Sequence, residues 1–207
     1  GLSIIVGIES SLIILYVFFP ISEILAVILT TFFAFVVGLI DDKKTMGGWF
    51  KPLALAFCPT KNSDRNKLII EKATEIGVTD FFPLISQNSE RRKWNTERFE
   101  KILISSIKQS QRFWLPTIHP VEKFNDFIKK TSYKLKFLAH CKKGEKIQLK
   151  KNSNPLESQV IIIGPEGDFI SEEIELAKAN NYKMISLGNN RLRTETACIA
   201  AVTLMKL

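Results

Sequence analysis

The chain has 207 residues, 45% of them hydrophobic, and carries 29 Lys and Arg against 21 Asp and Glu, a formal net charge of +8. That length suits one ordinary domain plus an appendage. Its cysteines, Cys58, Cys141 and Cys198, are odd in number and lack metal-ligand spacing, which argues against a disulfide-stapled secreted module and for reduced thiols in a cytosolic domain. The charge is unevenly spread. No Lys or Arg precedes Lys43, so residues 43–207 hold all 29 basic residues against 17 of the 21 acidic ones, a formal excess of 12. Such an excess suits a polyanionic partner.

Residues 3–40 are almost continuously apolar, in two runs separated by Pro20-Ile21-Ser22-Glu23. Each run meets the lower length limit for crossing a hydrocarbon core of about 30 Å, so the expectation is a membrane-like helical hairpin over residues 1–52. A signal peptide is not expected, because no basic n-region or small-residue cleavage site is present. Lys43, Lys44 and Lys51 then place residues 43–207 in the cytoplasm, membrane-anchored if residues 3–40 insert. The adjacent Asp41 and Asp42 in FVVGLIDDKKTMGGWFKP have the chemistry to hold Mg²⁺ facing a phosphate. This front part resembles a fragment of the polyprenyl-phosphate N-acetylhexosamine-1-phosphate transferase family, with one of its several polar motifs.

From Leu53 the pattern becomes that of an α/β domain. LALAF (53–57) reads as a buried strand, followed by a helix with Asn62 or Ser63 as cap and Gly77 at its end. FFPLI (81–85) reads as a strand, with Pro83 pointing to an edge or a bulge. Thr96 to Gln111 carries an apolar stripe and reads as a helix, as does Val121 to Lys130. LKFLAH (135–140) is a third strand, and Lys142 to Ser158 reads as a Lys-rich loop. VIII (160–163) meets the backbone-exposing cluster Gly164-Pro165-Glu166-Gly167, after which Ser171 offers a helix cap and Asn180-Asn181 a stop. Met184 to Leu187 is a strand ending in the polar loop Gly188 to Thr194, and a small-residue helix closes the chain, with Thr194 as a candidate cap. Alternation of strands and helices implies a mainly parallel sheet, with two unusual loops delivered to one sheet edge, the usual ligand position in open α/β folds.

The loops lack both a Walker pattern and G-x-G-x-x-G, which directs attention away from nucleoside triphosphates and dinucleotides. Gly188 to Thr196 instead packs Arg191, Arg193, Glu195 and two threonines together, a set suited to an anionic or polarised substrate. Arg91-Arg92-Lys93-Trp94 and Gln109 to Trp114, with Arg112, interleave basic and aromatic residues. They fit RNA contact, or a solvated face with one aromatic packed inward.

The segments IEKATEIGV (70–78), SER (89–91), KQSQR (108–112), IGPEGDF (163–169) and SLGNNRLRTETACIAA (186–201), in this order, resemble the bacterial 16S ribosomal RNA uridine-N3 methyltransferase family of the SPOUT superfamily. The resemblance covers residues 53–207 and implies an α/β domain with a C-terminal trefoil knot. It also implies S-adenosylmethionine as cofactor, 16S ribosomal RNA or the small subunit as partner, and a homodimer. Ile163, Gly164, Glu166, Gly167, Leu187, Gly188, Leu192 and Arg193 would then surround the cofactor. Ala197, Ala200 and Ala201 would allow close approach of the last helix. Arg193, with Arg191 or Arg112 from a partner, would stabilise charge on the uracil oxygens, and Glu166 or Glu195 would accept the N3 proton or orient the donor. Two departures stand out. Asp168 occupies a place where many members have Gly, and Asn190-Arg191 replaces Arg-Ile. The family's N-terminal β-barrel has no counterpart in residues 1–52. Alternative expectations are therefore a membrane-anchored RNA-binding module without catalysis, a sugar-phosphate transferase fragment, or two reading frames fused near Lys51 to Ala56.

Overall fold

The computed structural model describes residues 51–207 apart from residues 92, 93 and 113, together with Ile28, Leu29 and Phe32. Apart from those last three, which are helical and exposed, the hairpin expected over residues 3–40 lies outside the described residues, as do Asp41 and Asp42. Among the described residues, no helix is long and apolar enough to cross a membrane.

Among the described residues from Leu53 onward, eight strands and six helices follow one another. In chain order they are β1 (Leu53–Phe57), α1 (Ser63–Ile76), β2 (Asp80–Ile85), α2 (Thr96–Ser110), β3 (Thr117–Ile118), β4 (Glu122–Lys123), α3 (Phe124–Lys130) and β5 (Leu135–Ala139). They continue with β6 (Ile147–Gln148), α4 (Leu149–Asn152), β7 (Gln159–Ile163), α5 (Ser171–Ala179), β8 (Lys183–Ser186) and α6 (Thr194–Lys206). All described strand pairs are parallel, in the order β3-β2-β1-β7-β5-β8-β6, with β4 also pairing β2. The expected α/β class with a mainly parallel sheet is thus observed.

A parallel sheet is covered on both faces, so its central strands can be apolar throughout. Every residue of β1 and β7 is buried. The period of two then divides their side chains between two cores. Leu55, Phe57, Ile161 and Ile163 pack with α1, α2 and α6, whereas Ala54, Ala56, Val160 and Ile162 pack with α3 and α5. Although it is late in sequence, β7 lies between β1 and β5, with Phe57 and Ala139 both in register with Ile163. The carboxyl ends of β1, β7, β5 and β8 consequently share one edge.

Local chemistry explains most element ends and corrects several expectations. Asn62 caps α1 through its side chain, accepting from the Asp64 N–H at 2.7 Å, and Gly77 ends the helix at φ +119°. Pro83 falls between the short edge pairings of β3 and β4, where a missing N–H costs no ladder bond. The helix expected from Val121 begins only at Phe124, because Glu122 and Lys123 pair with β2. The segment expected as a loop from Lys142 to Ser158 contains β6 and α4, anchored by the buried Leu149. The cap of α5 is Ile170 rather than Ser171: Glu173 Oε2 reaches back to accept the Ile170 N–H at 3.0 Å. Likewise Arg193, not Thr194, precedes α6, since the Thr194 hydroxyl donates instead to the Gly164 carbonyl at 3.3 Å.

Candidate functional site

The connections leaving β7, β5 and β8 enclose a cavity of about 770 Å³ at the carboxyl edge of the sheet. Ile163 to Glu166 and Asp168 form one wall, Ala139 to Cys141 and Lys146 a second, and Ile185 to Thr194 a third. Arg65 of α1 and Ala197 of α6 complete it. Its size is that of an ordinary ligand site, and its lining mixes apolar side chains with many polar and charged ones.

The β7 loop is held by neighbours on both sides. Asn88 Nδ2 donates to the carbonyls of Gly167 and Asp168 at 3.2 and 2.9 Å. Asp168 occupies the left-handed region at φ +60°, a conformation in which Gly is easiest, and its Oδ2 accepts the Cys141 N–H at 2.9 Å. Glu166 projects to the exposed rim, where its Oε1 accepts from Arg65 Nη1 at 2.9 Å. Across the cavity, Arg191 Nη2 donates to the Glu166 carbonyl at 3.2 Å. Gly188 has φ +136°, which lets β8 turn into its loop without a side chain.

His140 belongs to the second wall. Its Nδ1 is buried without a hydrogen-bond partner, and the Lys146 ammonium donates to its carbonyl at 2.8 Å. Burial lowers the imidazole below its ordinary value of 6.5, and the positive charge of Lys146 pushes the same way, partly opposed by Asp168. At neutral pH the ring is therefore uncharged.

Of the residues expected around a cofactor, Ile163, Gly164, Glu166, Leu187, Gly188, Leu192 and Arg193 all line this cavity, and Arg191 joins them. Gly167 does not. Its Cα packs against Asn88, so that a Cβ there would lie 3.1 Å from Asn88 Cβ. Glu195 lies just behind the wall, its side chain 10% exposed, with Oε1 3.5 Å from Arg65 Nε and Oε2 without a hydrogen-bond partner. Arg91 and Arg112 stand away from the cavity. Arg91 Nη1 donates to the Lys61 carbonyl, and Arg112 Nε donates to the Glu75 carbonyl at 3.0 Å beside Gly77. Arg92 lies outside the described residues. Trp94 is packed inward, stacked on Phe99 with ring centroids 3.9 Å apart. Sequence reasoning missed Arg65 and the wall from Ala139 to Lys146. The strand end LAH was visible, but nothing local links Arg65 to a carboxylate 101 residues away.

The fold and cavity define an α/β domain with a ligand-sized cavity at the carboxyl ends of a parallel sheet. Residues 50–206 match the RNA methyltransferase domain family, and the chain belongs to that family. It is 38% identical to Ribosomal RNA small subunit methyltransferase E of Rickettsia conorii, over 70% of this chain and 60% of that protein. The Mesomycoplasma hyopneumoniae protein of the same name is 32% identical, over 73% of this chain and 66% of its own length. The chain thus spans a little under two thirds of the length of these curated relatives. Among solved structures, a probable rRNA-methyltransferase from Porphyromonas gingivalis superposes with TM-score 0.71 at 34% identity, covering 74% of this chain and 66% of that one. Ribosomal RNA small subunit methyltransferase E from Neisseria gonorrhoeae, bound to S-adenosyl methionine, gives 0.69 at 27% identity, covering 75% and 65%. None of these relatives supports the resemblance of residues 1–52 to a sugar-phosphate transferase.

Proposed function

We propose that this chain methylates N3 of a uridine in 16S ribosomal RNA, using S-adenosylmethionine held in the cavity between the β7, β5 and β8 loops. The observation that carries the reading is the convergence on one cavity of Arg191, Arg193 and Glu166 with three backbone-lined loops. The donor set fits the cofactor. Ala139, Ile163, Ile185, Leu187 and Leu192 offer apolar contact, the loops offer backbone groups, and the buried Nδ1 of His140 lacks a polar partner. The Glu166 and Asp168 carboxylates suit a cationic ligand.

S-adenosylmethionine, when bound, supplies an electrophilic sulfonium methyl. The uridine N3–H is only weakly acidic, so the protein must take its proton and stabilise the charge that develops on O2 or O4. Arg193, exposed on the cavity wall, is assigned the second task by preorganised donation, with Arg191 beside it. Glu166 is assigned the first, because it lines the cavity and is 40% exposed, within reach of a substrate base. Glu195, nearly enclosed, is assigned to holding rather than to proton transfer.

The reading extends to a trefoil knot through the β7 and β8 loops and α6, to a homodimer, and to cytoplasmic action on the small subunit. The buried Ala197 and Ala201 of α6 support close helix approach, and sedimentation equilibrium tests the dimer. The methylation itself is tested by incubating the chain with labelled S-adenosylmethionine and small subunits lacking the modification, then analysing nucleosides by mass spectrometry. The expected product is 3-methyluridine, with transfer falling roughly a hundredfold in Arg193→Ala. Unchanged transfer in that variant, or none in the parent chain, defeats the assignment.

A further inference from the structure

Arg65 sits near the start of α1, in a helix whose sequence advertises only an apolar stripe and a cap. Its guanidinium nevertheless reaches two separate parts of the site. Nη1 donates to Glu166 Oε1 at 2.9 Å, and Nε lies 3.5 Å from Glu195 Oε1. Glu166 belongs to the loop after β7, while Glu195 lies in the first turn of α6, directly after the β8 loop. Arg191 of that β8 loop donates back to the Glu166 carbonyl at 3.2 Å. The connections leaving β1, β7 and β8 are thereby tied together around one residue.

We infer that Arg65 is a positioning residue of this site: it clamps the β7 loop to the start of α6, and with Arg191 holds the two main cavity walls in register. The inference rests on the methyltransferase reading for what the walls enclose. Exposed ion pairs contribute little by themselves, and Arg65 and Glu166 are 33% and 40% exposed. The weight falls on Glu195, which is 10% exposed and whose second oxygen has no hydrogen-bond partner, so that Arg65 is the cation compensating its enclosed charge. Removing that cation would leave two carboxylates near each other without it, one of them enclosed. The planar fork of Arg also matters. It presents Nε and Nη in different directions from one rigid group, whereas the point charge of a Lys serves one carboxylate at a time.

The test compares the parent chain with Arg65→Ala, Arg65→Lys, Glu195→Gln and the Arg65→Ala/Glu195→Gln double variant. Hydrogen exchange should accelerate in residues 164–168 and 188–195 together in Arg65→Ala, while β1 and β2 stay protected. Calorimetry should show S-adenosylmethionine binding weakened about tenfold, the order expected for lost charge-assisted hydrogen bonding. Arg65→Lys should recover part of the affinity, which a general loss of packing would not predict. In the double variant the losses should not multiply, because both substitutions break one linkage. Unchanged exchange in the two segments overturns the clamp, as does parental affinity in Arg65→Ala or fully multiplicative loss in the double variant. A parent chain that binds no S-adenosylmethionine defeats the methyltransferase reading instead, and the exchange measurement still decides the clamp.

Discussion

The Asp168 carboxylate accepts the backbone N–H of Cys141 at 2.9 Å, fastening the β7 loop to the β5 loop. It does so from the left-handed region, at φ +60°, where a non-Gly residue is strained. Gly adopts this conformation most easily, so the side chain exchanges backbone ease for a tether between two walls. Asp168→Ala keeps the strain and loses the tether, and is expected to destabilise the fold by about 1–2 kcal/mol. Asp168→Gly relieves the strain while losing the same contact, and should destabilise by less. Urea midpoints of the three proteins check the order.

Gly164 is needed for space rather than for its dihedral angles. A Cβ at this position would lie 2.9 Å from the ring of Phe169, which is fully buried and packed near Phe124. The ring is pinned and cannot yield cheaply. Gly164→Ala is therefore expected to lower stability by about 1–3 kcal/mol, the range for overpacking in a filled core. It should also weaken S-adenosylmethionine binding, since the displaced backbone is cavity wall. Thermal melting and calorimetry on one preparation measure both.

The apolar run of β1, the β-branched run of β7, the Asn62 cap and the Gly77 stop were legible because each is written in a few neighbouring residues. Gly164 to Glu166 and Gly188 to Arg193 were legible as unusual loops at strand ends, and parallel pairing brings them to one cavity. Less local features were hidden. The Ile147–Gln148 strand is two residues long inside a Lys-rich stretch, too short for any periodicity to show. Arg65 looks like one more charge on an exposed helix face until Glu166 arrives from 101 positions away. Helix starts slipped by a residue because Ser171 and Thr194 are good caps in isolation. At the first, Glu173 accepts the Ile170 N–H; at the second, the Thr194 hydroxyl serves Gly164.

His140 makes stability depend on pH. Its imidazole is held below the ordinary 6.5, chiefly by burial and next by Lys146, so an unfolded chain takes up the proton before the folded one does. Stability from this group is fully present above 6.5 and declines as pH falls through the window beneath it. His140→Gln removes that proton linkage, so its urea midpoint should fall less steeply than the parent's as the pH is lowered from roughly 7.5 to 5.5. Parallel slopes in the two proteins contradict the assignment.

Thiol chemistry offers a direct check on the cavity. Cys58 and Cys198 are fully buried, and burial pushes the Cys58 thiol up to about 11 despite hydrogen bonds with Ser86 and Ser89; burial likewise holds the Cys198 thiol well above its ordinary value. The thiolate is the reactive form, so both should resist alkylation in the folded chain. Cys141 is exposed and lines the cavity, with its backbone N–H held by Asp168. Iodoacetamide at neutral pH should therefore modify Cys141 alone until the chain is denatured, when all three react. If S-adenosylmethionine occupies this cavity, saturating cofactor should slow Cys141 modification at least several-fold, as expected when a binding-site group is shielded. Peptide mass mapping over time reads both results. Equal rates with and without cofactor, in a chain that calorimetry shows to bind it, would place the cofactor away from the β5 loop.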